Sequence, residues 1–315
     1  MALLELTPAG LYCAAGDFYV DPWEPVSRAV ITHAHADRAR PGSAAYLTTR
    51  AGAPLLQLQL TDARIQALDY GEPVTMGEVR VSLHPAGHIL GSAQVRIEHR
   101  GEVWVVAGDF NPVPDPTCDP FESLRCHTFV TEATFALPIF RWTPESELVS
   151  DIHAWWRTNR EAGRSSLLFA NPLGKAQRIL ARLDASIGPI FADPAVERLN
   201  TIYRAHGISL AATHQPTTGA LILAPPGTDR RGFGTVSTAL ASGWMRIRGT
   251  RRRQSLDRGF VISDHADWPG LLRVIDATNA ETVWVTHGFR APLVHWLEEH
   301  GQRAIAVETR FGEAA

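Results

Sequence analysis

The chain has 315 residues, of which 45% are hydrophobic and 20% are charged, and its formal net charge is -3. This length and composition are typical of a folded protein with one large domain or two smaller ones, and they exclude a largely disordered chain. The net negative charge excludes general attraction to nucleic acid, so any such binding needs a local basic surface. Cys13, Cys118 and Cys126 show no CxxC spacing, which argues against a disulfide framework and against a thiolate zinc site.

The first residues, MALLELTPAG, contain neither a basic segment nor a long apolar stretch. Nowhere do the about 18 apolar residues that a membrane helix needs follow one another. We therefore predict neither a signal peptide nor a membrane span, and we expect a cytoplasmic protein without a membrane partner.

Short apolar runs dominate the first third of the chain and predict strands. They are RAVITH, AAYLTT, VRVSLHPAGH, AQVRIEHR, EVWVVAGD and TFVTEATF, mostly separated by Gly, Pro or Asp turns. From RWTPESELVSDIHAWWRTNREAG onward, helices and strands alternate, and strands resume with GFVISDH, TVWVTHG and RAIAVE. This order predicts a strand-rich α/β domain made of residues 1–142 and 244–315, with a smaller α/β domain, residues 143–243, inserted into it.

Histidine and aspartate side chains recur where the predicted strands end. The residues are His33, His35, Asp37, His88, Asp109, His265 and His287. Imidazole and carboxylate are ligands that zinc accepts, and loops held by a rigid sheet can bring them together on one cation. A solvated polar loop would explain one such cluster, but it would not explain the repetition at strand after strand. The sequence therefore predicts a metal site.

The motifs THAHAD, PAGHILGS and AGDF resemble those of the metallo-β-lactamase superfamily, whose fold is a four-layer αβ/βα sandwich. TEATF, ISDHADW and VTHGF resemble motifs of the β-CASP nucleases within it, which implies that the inserted α/β domain is of β-CASP type. Longer phrases, among them GDFYVDPW, HPAGHILGSAQ, LGKAQR, ASGWMR and DRGFVISDHADWPGL, resemble the bacterial DNA-ligase-associated exonuclease family over nearly the whole chain.

The resemblance implies two neighbouring metal positions. The ligands of the first would be His33, His35, His88 and Asp109. The ligands of the second would be Asp37, His287 and the shared Asp109. Zinc suits imidazole and carboxylate ligands, and manganese is an alternative at the oxygen-richer second position.

The resemblance also implies that Asp37, His265 and Glu132 take part in catalysis. Water ionised between the metals would attack phosphorus in line, while the metals stabilise the charge that develops on the phosphoryl oxygens. His265 would act as a general acid or as a phosphate clamp, and Glu132 would orient it.

Position 38 departs from the nuclease relatives, which usually have a histidine there that ligates the second metal. Arginine stays protonated and offers no lone pair. Three outcomes remain open. The second metal binds weakly, or Arg38 takes over the electrostatic role of that metal toward the phosphate, or the chain is catalytically impaired. We expect one firmly bound zinc and a second site that is weak or empty.

A basic segment before His265 predicts contacts with nucleic-acid phosphates. Its arginines, within residues 245–258, are Arg246, Arg248, Arg251, Arg252, Arg253 and Arg258. Such a cluster would neutralise phosphates in a groove. Lys175 stands after a predicted strand at the start of a helix, a position that also suits a phosphate.

These observations predict a metal-dependent nuclease, and more narrowly a DNA exonuclease that processes ends for repair. An RNA-processing nuclease of the same fold is an alternative, because phosphate contacts do not distinguish deoxyribose from ribose. A small-molecule hydrolase is a further alternative, but such an enzyme should lack the inserted domain. A catalytically silent nucleic-acid-binding protein also remains an alternative, because Arg38 replaces a metal-ligand histidine. The family resemblance implies association with a DNA ligase and a helicase.

Overall fold

The structure is a computed structural model that describes residues 2–309 and, within them, every side chain except that of Arg251. The chain divides into two compact units. Unit 1 holds the described residues up to Pro138 and from His265 onward, and unit 2 holds Ile139–Asp264. None of the helices between residues 2 and 309 has the length and apolar character that crossing a bilayer requires.

In chain order, the elements of unit 1 come first, those of unit 2 follow, and the chain then returns to unit 1. Unit 1 begins with β1 (Glu5–Thr7), β2 (Gly10–Cys13), β3 (Phe18–Val20), β4 (Ala29–Val30), β5 (Tyr46–Thr49), α1 (Ala53–Gln59), β6 (Ile65–Leu68), β7 (Pro73–Met76), β8 (Val79–Pro85), β9 (Ala93–His99), β10 (Glu102–Val106) and β11 (Thr128–Ala133). Unit 2 contains α2 (Glu145–Glu161), β12 (Ser165–Phe169), α3 (Lys175–Leu180), β13 (Ile190–Ala192), α4 (Pro194–Ala205), β14 (Leu221–Ala224), β15 (Val236–Ala241), α5 (Thr250–Arg253) and β16 (Arg258–Phe260), with short 3-10 helices at Arg231–Phe233 and Gly243–Arg246. Unit 1 resumes with α6 (Trp268–Thr278), β17 (Thr282–Gly288), α7 (Arg290–Glu299) and β18 (Arg303–Ala306).

Unit 1 contains two mixed sheets. The first has six strands in the order β1-β2-β3-β4-β5-β6, antiparallel up to β3 and parallel from there on. The second has seven strands in the order β18-β17-β11-β10-β9-β8-β7. Its strands are antiparallel from β7 to β10 and parallel from β10 to β18.

Strand β10 shows how the layers of unit 1 pack. Successive side chains of a strand point to opposite faces. Trp104 and Val106 join a core that also contains Val30 of the first sheet, whereas Val105 joins a core with α6 and α7. A further cluster packs α1 against the outer face of the first sheet. Unit 1 therefore has four layers, in the order helix, sheet, sheet and helices.

Unit 2 is built on a parallel sheet with the strand order β13-β14-β12-β15-β16. Its inner strand β14, LILA, is buried at every position, as expected for a parallel strand that is covered on both faces. The chain leaves β12 toward β13 and leaves β15 in the opposite direction, toward β16. The order thus reverses between two neighbouring strands, which in parallel α/β sheets opens a crevice at their carboxyl ends.

All six strands predicted for the first third form, as β4, β5, β8, β9, β10 and β11. The predicted domain boundary at residue 243 requires correction, because β16 pairs with β15 through Gly259 and Leu240. The inserted unit consequently extends from Ile139 to Asp264 rather than over residues 143–243. The run GFVISDH ends at His265, a predicted catalytic residue of the first domain, so its strand was assigned to the wrong domain.

Candidate metal centre

Four predicted ligands of unit 1 follow strands from both of its sheets. His33 and His35 come after β4 in the first sheet, whereas His88 comes after β8 and Asp109 after β10 in the second. The turn into Asp109 depends on Gly108, which has a φ of 61°. A Cβ on this glycine would lie 2.7 Å from the Thr32 side chain, so the close approach of the two loops requires a glycine there.

The side chains of His33, His35, His88 and Asp109 converge. Each offers one ligand atom, and these four atoms all lie within 4.8 Å of one another. Asp109 Oδ2 is 3.5 Å from His33 Nε2 and 3.9 Å from His88 Nε2. His88 Nε2 is in turn 3.2 Å from His35 Nδ1. Three imidazoles and one carboxylate in this arrangement make a donor set for a divalent metal.

The protonation and burial of the cluster fit a metal. Burial lowers the pKa of His33 well below its usual value, so the imidazole is neutral and its lone pair is available. Within the described residues, His33 Nε2 is buried and has no hydrogen-bond partner. An unpartnered buried nitrogen is costly, and a cation bound beside Asp109 would supply the missing interaction.

A chain of hydrogen bonds from Asp21 holds His33. The Asp21 carboxylate accepts from the backbone N–H of Thr32 at 2.8 Å and from Thr32 Oγ1 at 2.6 Å. Thr32 Oγ1 lies 3.1 Å from His33 Nδ1. With Oγ1 donating to Asp21, it can accept from Nδ1–H, which leaves the Nε2 lone pair for a ligand. Burial raises the pKa of Asp21 to about 6.

Sequence reasoning missed Asp21 and Thr32 as functional residues. Asp21 directly follows β3, so the rule that found the other strand-end aspartates would have found it as well. Thr32 carried no signal, because a threonine beside a strand is ordinary.

The Thr32→Val variant is expected to weaken metal binding by about 10- to 100-fold, the usual range for a group that orients a ligating histidine. Valine keeps the shape but removes the acceptor for His33 Nδ1. Competition with a chelator of known affinity measures the change. Thr48→Val is the matched control, because Thr48 is equally buried and its Oγ1 donates only to the Ile31 carbonyl, at 3.3 Å. Unchanged affinity in Thr32→Val would show that the relay does not orient His33.

Arg38 contacts the three residues that the sequence predicted as ligands of a second metal. Its NH2 donates to Asp109 Oδ1 at 2.8 Å, its NH1 lies 2.9 Å from His287 Nε2, and its Nε lies 3.4 Å from Asp37 Oδ2. The metal-type clusters among the described residues do not include Asp37 or His287. Because the guanidinium lies among these atoms, the residues present do not fit a second metal.

The charge of Arg38 affects the protonation of both Asp109 and His287. Burial would raise the pKa of Asp109, but Arg38 and the neighbouring histidines outweigh it and hold that pKa well below its usual range. Burial lowers the pKa of His287 to about 3, with a further contribution from Arg38. The group therefore consists of an ionised Asp109, a protonated Arg38 and a neutral His287.

His265 and Glu132 form a hydrogen-bonded pair beside the cluster. His265 Nδ1 lies 2.8 Å from Glu132 Oε2 and 3.1 Å from Oε1. The buried carboxylate also accepts from the Phe110 N–H at 3.0 Å and from Thr134 Oγ1. The ring of His265 lies 4.7 Å from that of His88, between centroids. With Nδ1 bonded to Glu132, Nε2 is the nitrogen through which His265 can act on a substrate.

Unit 2 holds the other predicted substrate residues. Lys175 Nζ pairs with the buried Asp264 at 3.0 Å, so its ammonium already has a partner within the unit. The exposed arginines of the basic segment are Arg246, Arg248, Arg252 and Arg253, and the side chain of Arg251 lies outside the described part of the chain. The Nε of Arg246 donates to the Ile139 carbonyl at 3.1 Å.

No family model matches the chain. It is similar to a "Probable DNA ligase" of Opitutus terrae, with 29% identity over 310 residues that cover 95% of this chain and 30% of that protein. It is also similar to the transcription termination factor FttA of Pyrococcus abyssi, with 31% identity over 154 residues that cover 44% of this chain and 23% of the factor. Endoribonuclease ysh-1 of Neurospora crassa is 29% identical over 123 residues, 38% of this chain and 14% of that protein. The chain thus spans less than a third of the length of these curated relatives.

A solved structure, that of a protein of unknown function from Enterococcus faecalis V583, is similar with a TM-score of 0.60. The match covers 91% of this chain and 80% of that chain at 13% sequence identity, so it concerns the fold alone. The chain is thus similar to proteins named as a DNA ligase, a transcription termination factor and an endoribonuclease, and the resemblance of its strand-end motifs to the metallo-β-lactamase superfamily and its β-CASP group remains a prediction.

Proposed function

We propose that this chain is a metal-dependent nuclease that hydrolyses phosphodiester bonds, and more narrowly a DNA exonuclease that processes ends for repair. The observation that carries the proposal is the convergence of three histidines and Asp109 beside a histidine held by a buried glutamate. We further propose that unit 1 is the four-layer αβ/βα sandwich of the metallo-β-lactamase superfamily and that unit 2 is its inserted β-CASP-type domain.

One divalent cation would be held by the four converging side chains, His33, His35, His88 and Asp109. We favour zinc for this donor set, with manganese as the alternative, and we expect any second position to be weak or empty. When bound, such a cation supplies a Lewis acid that polarises a phosphoryl oxygen and lowers the pKa of water toward neutrality.

The chain's own side chains would handle the protons and the phosphate. His265, kept in one orientation by Glu132, would protonate the departing oxygen or clamp the phosphate through Nε2. Asp37, whose side chain is 49% exposed, would accept a proton from the attacking water. Arg38 would attract the phosphate and offset the charge that develops on it.

Unit 2 has features that suit a nucleic-acid strand. The basic segment presents exposed guanidinium groups that would neutralise backbone phosphates. A cavity of about 750 Å³ opens at the carboxyl ends of β12 and β15, where the strand order reverses. Among the residues that the structure describes, its lining includes Lys175 and Arg230 but no carboxylate, and the Arg230 guanidinium lies 5.6 Å above the Phe169 ring. Cationic and aromatic groups together suit the phosphate and the base of a nucleotide.

The named relatives support a nucleic-acid substrate but do not distinguish DNA from RNA. DNA is favoured because the similarity that covers almost the whole chain is to a protein named as a DNA ligase. That similarity also supports a working association with a DNA ligase, and the family resemblance adds a helicase. RNA remains the second candidate, because a shorter match is to an endoribonuclease.

Paired digestion of labelled DNA and RNA strands tests the proposal. Zinc or manganese should sustain loss of nucleotides from DNA ends, and a chelator should stop it because the donor set would be emptied. Faster digestion of RNA would favour the RNA-processing alternative. Intact DNA and RNA with either metal at micromolar enzyme would contradict a nuclease, and retained strand binding under those conditions would support the catalytically silent alternative that Arg38 raises.

A further inference from the structure

Arg38 is buried inside the site, where two of its guanidinium nitrogens are within hydrogen-bond distance of a partner and the third, Nε, makes a longer ion-pair contact. Its relative exposure is 7%, and its three nitrogens face Asp109, His287 and Asp37 at 2.8, 2.9 and 3.4 Å. We propose that this guanidinium is the permanent second cation of the centre, so that the chain works with one metal where a two-metal site would need another. The inference rests on the proposed function only in requiring the metal held by His33, His35, His88 and Asp109.

Asp109 connects the two cationic positions. Its Oδ2 faces the histidine cluster, 3.5 Å from His33 Nε2. Its Oδ1 accepts the hydrogen bond from Arg38 NH2. One oxygen of Asp109 therefore faces the histidines that would hold the metal, and the other is hydrogen-bonded to Arg38.

The shape of the guanidinium explains how one side chain can satisfy this position. One NH2 group donates to a carboxylate and the other reaches an imidazole nitrogen, and the rigid planar fork holds both contacts at once. His287 Nε2 accepts, because a guanidinium nitrogen can only donate. A second metal would need the same lone pairs of Asp109 and His287, so the guanidinium and that metal exclude each other.

The charge of Arg38 is secured by its surroundings. A guanidinium stays protonated in proteins, and the carboxylates of Asp109 and Asp37 lie 2.8 and 3.4 Å from it. Arg38 therefore contributes one fixed positive charge to the site. Unlike a second metal, this charge does not depend on the concentration of free metal ions.

Metal counting on the full-length chain tests the inference without reference to activity. Purified protein is titrated with zinc and separately with manganese, and bound metal per chain is measured by elemental analysis and calorimetry. The wild type should bind one metal and show no second event up to millimolar metal. Arg38→His, which removes the guanidinium and adds a ligand, should bind two. Arg38→Gln should show a second, weaker event, because it removes the charge without adding an imidazole.

Arg64→His is the matched control, because Arg64 is exposed, and it should bind one metal like the wild type. Two metals in the wild type, or a single metal in both Arg38 variants, would overturn the inference. If Arg38→His does not fold, the wild-type titration and Arg38→Gln still decide it. A count of one metal in a chain that digests no nucleic acid would reject the nuclease and leave the inference standing, whereas a count of zero would reject both.

Discussion

Replacing His33 with alanine is expected to abolish binding of the proposed metal and to slow the proposed DNA hydrolysis by at least about 1,000-fold. The imidazole is buried, and its Nε2 faces Asp109 at 3.5 Å, so alanine removes one of the four converging donors. A catalytic metal contributes several kcal/mol to transition-state stabilisation, and a loss of about 4 kcal/mol corresponds to about 1,000-fold in rate.

Two measurements separate metal loss from misfolding in this variant. Elemental analysis gives the metal content, and circular dichroism compares the folded state with that of wild type. His295→Ala is the control, because His295 is exposed on α7 and pairs only with Glu299 of the same helix, at 3.2 Å. A His33→Ala chain that retained its metal would show that the four side chains are not the donor set.

His265→Ala is expected to lower kcat by about 100- to 10,000-fold, the range for removing a general acid or base. Metal content should stay at the wild-type level, because His265 is not one of the four converging ligands. The rate falls because alanine has no imidazole nitrogen to protonate the departing oxygen or to hold the phosphate. Steady-state kinetics and elemental analysis on the same preparation measure both quantities.

Glu132→Gln distinguishes an oriented catalytic histidine from a structural one. The amide keeps the shape of Glu132 but weakens the bond at 2.8 Å to His265 Nδ1, so kcat should fall while KM changes little. His206→Ala, on the surface at the end of α4, should leave both unchanged. A metal-loaded His265→Ala enzyme with wild-type kcat would remove His265 from the mechanism.

Sequence reasoning located the strand ends because apolar runs and turn residues mark them locally. His88 and Asp109 illustrate this, since each closes a strand whose alternation or hydrophobicity is plain in the sequence. The contacts of Arg38 carry no such local signal. It meets Asp109 and His287 from 71 and 249 positions away, and only the packing of two sheets brings these residues together.

There are also physical reasons why some elements could not be predicted from the sequence. Strands β1 and β3 contain three residues each, which is too short for a period of two to be recognised. Helix α6 was not predicted, although the sequence carries its signals: Asp267 caps it by accepting from the Gly270 N–H at 2.8 Å, and a proline follows in the first turn. The boundary at Asp264 was not readable, because a strand can pair with either of two sheets without any change in its own composition.

The four converging side chains come from loops of both sheets of unit 1, and this has a consequence for folding. An ion held by His33 and His35 on one side and by His88 and Asp109 on the other would act as a cross-link between the sheets, in addition to the apolar core between them. Since the unfolded chain has no such preformed site, binding free energy becomes stability of the native state. An ion present at about 1,000 times its dissociation constant adds about 4 kcal/mol to the free energy of unfolding. Depriving the protein of metal would therefore lower the free energy of unfolding as well as remove the chemistry proposed for the ion.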